Sequence, residues 1–326
     1  MSYGMGVVGC GSHALRNHIV PGKAFGFEVK AVCDPSAENI AKVAAAVGYE
    51  PAVCSFWQLL KRKDVNVVLI TSPDKHHPWQ LLATVLAGKH VLCDKPLAVS
   101  YWGLTLVRLA FVVAVLRGVV VQSCHPREEY PDLPYGWVKE NLAELTRRFG
   151  PLVHIGLDLS YPVPSLDWKK DRSFLLDHYV HEIFVLLWWL DGVTFIAQRL
   201  YDAFDRYAVS GITNTDVTFM FMGTRRLEKG LDTFPETIQL RFERGGCCIN
   251  TKTGQLAFYD HASQAVEPGE VTPMQPEAYD RRAMRVMAGL SRALSSREGT
   301  GIADLKLLWK INKSAVALAT VGHYHS

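Results

Sequence analysis

The chain has 326 residues, 48% of them apolar and 21% charged, with a net charge of +3. That is length for two domains with cores of their own and rules out a disordered chain. No long Lys/Arg run appears, so no nucleic-acid partner is expected.

Met1–Val8 is short, uncharged and runs straight into a glycine motif, so no signal peptide is expected. Leu104–Val121 is strongly apolar, but Arg108, Arg117 and Gly118 break it too often for a membrane span. The seven cysteines are scattered and form no CxxC pair, which reads as buried, reduced thiols of a cytoplasmic protein.

Up to residue 123, strand-like and helix-like segments alternate. Met5–Gly9 and Glu28–Cys33 read as strands, Ala37–Val47 as a helix stopped by Gly48, and Val65–Thr71 as a strand buried on both faces. Pro78–Ala87 is a helix, His90–Asp94 a strand, Ser100–Arg117 a helix and Val119–Cys124 a strand. This grammar predicts an α/β domain over 1–123, a Rossmann-type doubly wound parallel sheet.

From residue 124 the pattern changes. A helix is expected over Pro134–Phe149. Strands joined directly are expected at Leu152–Tyr161, Thr194–Phe204, Asp216–Met222, Thr237–Glu243, Cys247–Thr251 and Leu256–Asp260. Phe174–Leu190 reads as a long helix among them, and Pro276–Leu294 and Ile302–Val321 close the chain. An α+β domain over 124–326 follows, with a largely antiparallel sheet. The last helix is a candidate to pack back on the first domain. Glu267–Pro276, with three prolines and a glycine, is expected to be its most mobile segment.

Four clusters carry chemistry. In the first, Gly9-Cys10-Gly11-Ser12-His13-Ala14 follows a strand and opens a helix. Gly9 permits a tight turn, Gly11 lets backbone approach a pyrophosphate, and Ala14 allows close helix–strand packing. Asp34, at the end of the second strand, suits an adenosine ribose and repels a 2′-phosphate. The following Pro35-Ser36 offers no arginine to bind one, so NAD is favoured over NADP.

The second cluster, Thr71–His77, sits at the carboxyl end of a buried strand, where doubly wound sheets bind ligands. Ser72, Pro73 and His77 can border the cofactor there, or simply form a turn and helix start. The third, Asp94-Lys95-Pro96, also ends a strand; an ammonium at Lys95 would stabilise negative charge developing on a reacting oxygen. The fourth pairs Asp177 with His181, four residues apart on one helix face, the histidine suited to proton transfer near neutral pH. His178 and Glu182 form a second such pair. The four could mimic a metal site, but no third ligand with an open position is evident and no metal is expected.

Taken together, these residues resemble the glucose–fructose oxidoreductase, inositol dehydrogenase and rhizopine catabolism family. Its markers are matched by the glycine loop, by Ser72–His77, by Gly88–Pro96 (the most specific string) and by Asp177-His178-Tyr179-Val180-His181. The closing helix with Ser314 is similar too. The resemblance implies that Lys95 hydrogen-bonds the reacting hydroxyl, that His181 is general base or acid, and that Asp177 binds substrate. It implies a Rossmann domain followed by an α+β domain with an open, largely antiparallel mixed sheet, a cis Lys95–Pro96 peptide and cofactor contacts from Asp94 to Pro96. Arg127 falls where many members carry an arginine, and Tyr161 and Trp168 belong to expected pocket walls. Members commonly form dimers or tetramers through the open sheet, so a homo-oligomer is expected.

The chain departs from the family pattern at Asp94, where glutamate is usual, at Tyr179, where glycine is usual, over Asp171–Leu176, and at Phe184. These bear on the substrate rather than the fold. The reading is an NAD-dependent oxidoreductase of a secondary alcohol on a sugar, cyclitol or nucleotide sugar. Two alternatives stand beside it. One is a cofactor-binding regulator without turnover, against which intact Lys95, Asp177 and His181 argue. The other is an NAD-dependent glycoside hydrolase.

One feature bears on assembly. The inward stripe of the 100–117 helix should run through Gly103, Val107, Ala110 and Ala114, yet Leu104, Phe111, Val112 and Val115 outside it are apolar too. Cover by a partner or by the C-terminal helix is expected there.

Overall fold

A computed structural model describes residues 2–124, 130–162, 173–203, 205–226, 236–274, 276–296 and 305–326. They form two compact units, one of 1–126 with 280–312 and one of 127–279 with 313–326.

In the first unit, β1 (Tyr3–Val8) leads through the glycine loop into α1 (Ser12–Ala14), a π-helical turn over 15–19, and α2 (Val20–Gly22). There follow β2 (Phe27–Cys33), α3 (Ala37–Val47), β3 (Ala52–Val53), α4 (Phe56–Lys61), β4 (Val67–Ile70) and α5 (His77–Leu86). β5 (His90–Cys93), α6 (Tyr101–Arg117) and β6 (Val121–Ser123) complete the wound part. The strand order is β3-β2-β1-β4-β5-β6, all parallel. The chain therefore reverses its winding between β1 and β4, and the carboxyl ends of those strands open a crevice.

The short β3 and α4 are additions to the expected elements. Ser55 caps α4 in a reciprocal box with Gln58, a Ser-x-x-Gln signal readable in the sequence. Met5, Val7, Val67 and Leu69 point into one core, joined by Val286, Met287 and Leu290. Val68, Ile70, Val91 and Cys93, of opposite parity, are fully buried as well, so both sheet faces are covered.

α6 buries a wider face than the expected stripe. Leu104 and Phe111 are buried along with Gly103, Val107, Ala110 and Ala114, whereas Val112 and Val115 are 52% and 69% exposed.

The second unit holds α7 (Pro134–Phe149), β7 (Leu152–Pro162), α8 (Phe174–Trp189), β8 (Phe195–Asp202), β9 (Arg206–Thr213) and β10 (Thr218–Arg226). After these come β11 (Thr237–Phe242), β12 (Gly245–Asn250), β13 (Gln255–Asp260) and β14 (Val266–Glu270). α9 (Pro276–Ser296) and α10 (Leu305–Val321) each belong partly to both units, and β15 (His323–His325) ends the chain.

The nine strands run β14-β13-β12-β11-β7-β10-β9-β8-β15. Only the β7–β10 pair is parallel, so the sheet is mixed and mostly antiparallel. The first four residues of the 267–276 stretch form most of β14, an edge strand. Its Pro268 and Gly269 are tolerated because an edge strand has one unpaired side. All seven cysteines are free thiols, and among the described residues no helix is long and apolar enough to cross a membrane.

Candidate active site

In the first unit the predicted residues converge at the carboxyl ends of β1, β2, β4 and β5. Gly9 has φ +90°, and a Cβ there would lie 2.7 Å from the backbone of Thr71 and Ser72, so only glycine fits. Gly11 is the cap residue of α1, and a Cβ on it would meet nothing within 4 Å. The loop backbone is thus open at the start of a helical run, as a dinucleotide pyrophosphate requires. Ser12 and His13 are exposed there, and Ala14 is buried beneath.

Asp34 braces the loop. Its Oδ2 accepts the Cys10 amide at 2.6 Å and its Oδ1 the Ser36 amide at 2.8 Å, just past Pro35. The Cys10 side chain is buried, and burial, with Asp34 adding to it, pushes its thiol up to about 12. Cys10 is therefore an inert packing group and not a nucleophile.

The other two strand ends are tied to this loop. Thr71 donates through Oγ1 to the Gly9 carbonyl at 2.5 Å, and Ser72 donates to Gln80. Buried His77 places Nε2 2.7 Å from the Ser72 carbonyl and Nδ1 2.8 Å from the Pro96 carbonyl, bridging the β4 and β5 ends. Pro73 lies exposed beside it. The Lys95–Pro96 peptide is cis, Pro96 is buried and Lys95 is half-buried.

Asp94 faces the helical run after the glycine loop. His18 Nε2 lies 2.8 Å from its Oδ1 and His13 Nε2 3.3 Å from its Oδ2. Burial alone would raise the Asp94 carboxyl; the two histidines outweigh it and hold it well below the usual carboxylate range. His18, fully buried, was not singled out from the sequence. Residues 13 and 18 sit five apart, a spacing that puts them on different faces of an α-helix.

Among the described residues, His13, His18 and Asp94 are the cluster with metal-ligand spacing, their ligand atoms within 4.8 Å of one another. The same atoms are also placed to hydrogen-bond one another. Asn17 Nδ2 lies 3.2 Å from the His13 carbonyl and 3.0 Å from His13 Nδ1, so Nδ1 accepts and the ring proton sits on Nε2. With Nε2 protonated, both rings would donate to the Asp94 carboxylate, an arrangement in which their lone pairs are not offered to a metal.

In the second unit, Ser173 caps α8 by accepting the Leu176 amide, and donates to Asp202 at 2.7 Å. Asp177 and His181 share a face one turn apart, and the His178 and His181 rings meet edge-on at 5.6 Å. Arg225, on β10, donates to Asp177 Oδ2 at 2.9 Å and lies 4.2 Å over the Phe174 ring. Arg225 is 2% exposed. It escaped the sequence reading, yet a signal existed: Phe219, Phe221, Gly223 and Arg225 share one parity, and an inward row ending in a cation calls for a buried anion.

Tyr179, the bulky replacement for the family glycine, is fully buried and packs beside Phe221, at 6.2 Å between rings. Its bulk enters the helix–sheet core, away from the face carrying Asp177. Arg127 and Trp168 lie outside the described residues, as does the side chain of Tyr161, whose backbone pairs with Arg225 in the sheet.

Residues 3–110 match the family model of oxidoreductases with an NAD-binding Rossmann fold, GFO_IDH_MocA. Over 262 residues the chain is 36% identical to a 1,5-anhydro-D-fructose reductase of Ensifer adhaerens, covering 77% of this chain and 74% of that protein. The chain belongs to the Gfo/Idh/MocA oxidoreductase family. An inositol 2-dehydrogenase of Serratia proteamaculans is 30% identical over 194 residues, 59% of this chain and 55% of that one.

Solved structures share the fold along nearly the whole length. A levoglucosan dehydrogenase in complex with NADH and levoglucosan superposes with TM-score 0.78 at 15% identity, covering 98% of both chains. KijD10, a 3-ketoreductase from Actinomadura kijaniata in complex with NADP and TDP-benzene, gives 0.79 at 20% identity and the same coverage. The chain is an oxidoreductase with an NAD-binding Rossmann domain, and the expected fold class holds in both halves.

Proposed function

We propose that this oxidoreductase uses NAD(H) to interconvert a secondary alcohol and a ketone on a sugar, cyclitol or nucleotide sugar. The observation that carries the reading is Lys95 at the carboxyl end of β5, beside the winding reversal and the open glycine loop. The relatives' named substrates, an anhydro sugar and an inositol, support the substrate class.

When bound, the nicotinamide cofactor supplies the hydride donor and acceptor. Gly9, Gly11 and Ser12 would hold its pyrophosphate with Ala14 packed beneath them, Asp34 and Pro35 its adenosine ribose, and Ser72, Pro73 and Pro96 the nicotinamide side. His13, His77 and Asp94 would act there through the bonds described above.

Lys95 would donate to the reacting oxygen and stabilise its negative charge as the proton leaves. His181 would take that proton on a ring nitrogen during oxidation and return it during reduction. Asp177, committed to Arg225, would accept hydrogen bonds from substrate hydroxyls and leave proton transfer to the histidine. Arg127, Tyr161 and Trp168 are retained as substrate contacts on the family resemblance.

NAD is the proposed cofactor on charge grounds: a carboxylate at Asp34, with no arginine in the following Pro35-Ser36, would repel a 2′-phosphate. The protein is proposed to be cytoplasmic and to assemble with copies of itself.

The testing experiment is a panel of sugars, inositols and nucleotide sugars followed by NADH absorbance. Net NADH formation with at least one free alcohol is expected. Cofactor binding with no net redox on any substrate would point to a regulator or a hydrolase.

A further inference from the structure

The π-helical turn over 15–19 has a chemical consequence. The Val20 amide bonds to the Leu15 carbonyl, an i→i+5 link that widens the turn. Residues five apart are brought to one side, and the His13 and His18 rings stand 5.7 Å apart. Regular α-helix would have separated them. Both Nε2 atoms then reach the same carboxylate, one on each oxygen.

We infer that His13 and His18 are positioning residues that clamp Asp94 and so fix Lys95, the next residue, relative to the glycine loop. The inference rests on the role proposed for Lys95.

Three observations carry it. His18 is fully buried, and its Nε2 contact at 2.8 Å has the length of a strong hydrogen bond to a charged acceptor. Asn17 fixes the His13 tautomer from behind, leaving Nε2 to donate. The shorter acid at 94, in place of the family glutamate, lies within reach of both rings. One end of the clamp is thus the helix that opens at the cofactor loop; the other is the strand end carrying the lysine. Restraint of this kind acts on the geometry of the reacting groups.

Two measurements test it. In protein labelled with 15N-histidine, long-range 1H–15N spectra assigned with the His13→Gln and His18→Gln variants should show both rings protonated at Nε2. A ring protonated only at Nδ1, or stoichiometric zinc surviving dialysis against a chelator, overturns the clamp.

In kinetics on the substrate found in the panel, His18→Ala should lower kcat about 10–100-fold while changing the NADH dissociation constant less than about 3-fold. His18→Gln, whose amide can donate to Asp94, should recover part of that loss. An unchanged kcat in His18→Ala overturns the positioning role. So does parallel loss of kcat and NADH affinity without recovery in His18→Gln. If the unaltered protein turns over nothing in the panel, the substrate class proposed above fails, and the spectra alone decide the clamp.

Discussion

Arg225 and Asp177 form a buried ion pair at 2.9 Å, joining a strand of the mixed sheet to the helix that carries the proposed proton-transfer histidine. The cation is 2% exposed on its side chain and the anion 17%, so the cation has no bulk water to fall back on and the anion little. Removing one partner leaves the other charge stranded. Arg225→Met should therefore destabilise the protein by about 3–5 kcal/mol, read from urea unfolding. A loss under about 1 kcal/mol would mean that Asp177 is held by something else.

His181→Ala should lower kcat by about 10²–10⁴-fold with NADH affinity nearly unchanged, as expected for a general base that does not touch the nucleotide. Steady-state rates and fluorescence titration with NADH measure the two separately. Near-normal kcat on the true substrate would mean that the proton moves through another group.

NADH should bind more tightly than NADPH. Asp34→Ala removes two acceptors that brace the glycine loop and its exit, and should weaken NADH binding by about 10–100-fold. Equal or tighter binding of NADPH to the unaltered protein would remove the basis for the NAD assignment.

Asp94 gives a pH signature. Its folded carboxyl is held well below the usual range, so its stabilising contribution is complete above the unfolded value of about 3.9. The contribution falls away as pH drops towards the folded value. Asp94→Asn should be less stable than the native chain by a steady margin between about pH 5 and 6, and that margin should shrink only below about pH 4. Denaturation curves at a series of pH values would show it; a margin that is flat down to about pH 3 contradicts the shift.

The outer face of α6 bears on assembly. Trp102, Leu109, Val112 and Leu116 recur at helical spacing and are 71%, 49%, 52% and 80% exposed. A second copy of the chain is expected to cover them. Sedimentation velocity should show an oligomer that Val112→Lys combined with Leu116→Glu weakens. An unchanged assembly would place the interface elsewhere.

Much of the molecule was readable without coordinates. Strand–helix alternation gave the parallel sheet because apolar period and turn residues are local properties. Gly9, Gly11, Asp34 and the Asp94-Lys95-Pro96 string stood out because their spacing is fixed by one strand end or one loop. Asp177 and His181 were legible for the same reason, as neighbours on one turn of helix.

What tertiary structure decided were the partnerships. Asp34 proved to brace the glycine loop from 24 residues away, and His77 to bridge two strand ends. Arg225 found Asp177 across 48 residues, because sheet register sets which inward side chain meets which helical turn. His18 joined His13 on Asp94 only because a π turn replaced α-helical geometry, a change of a few backbone hydrogen bonds that no residue spacing announces. Sequence specifies which side chains are available and which face each prefers; long-range pairing depends on how strands and helices pack, and that is settled only when the chain folds.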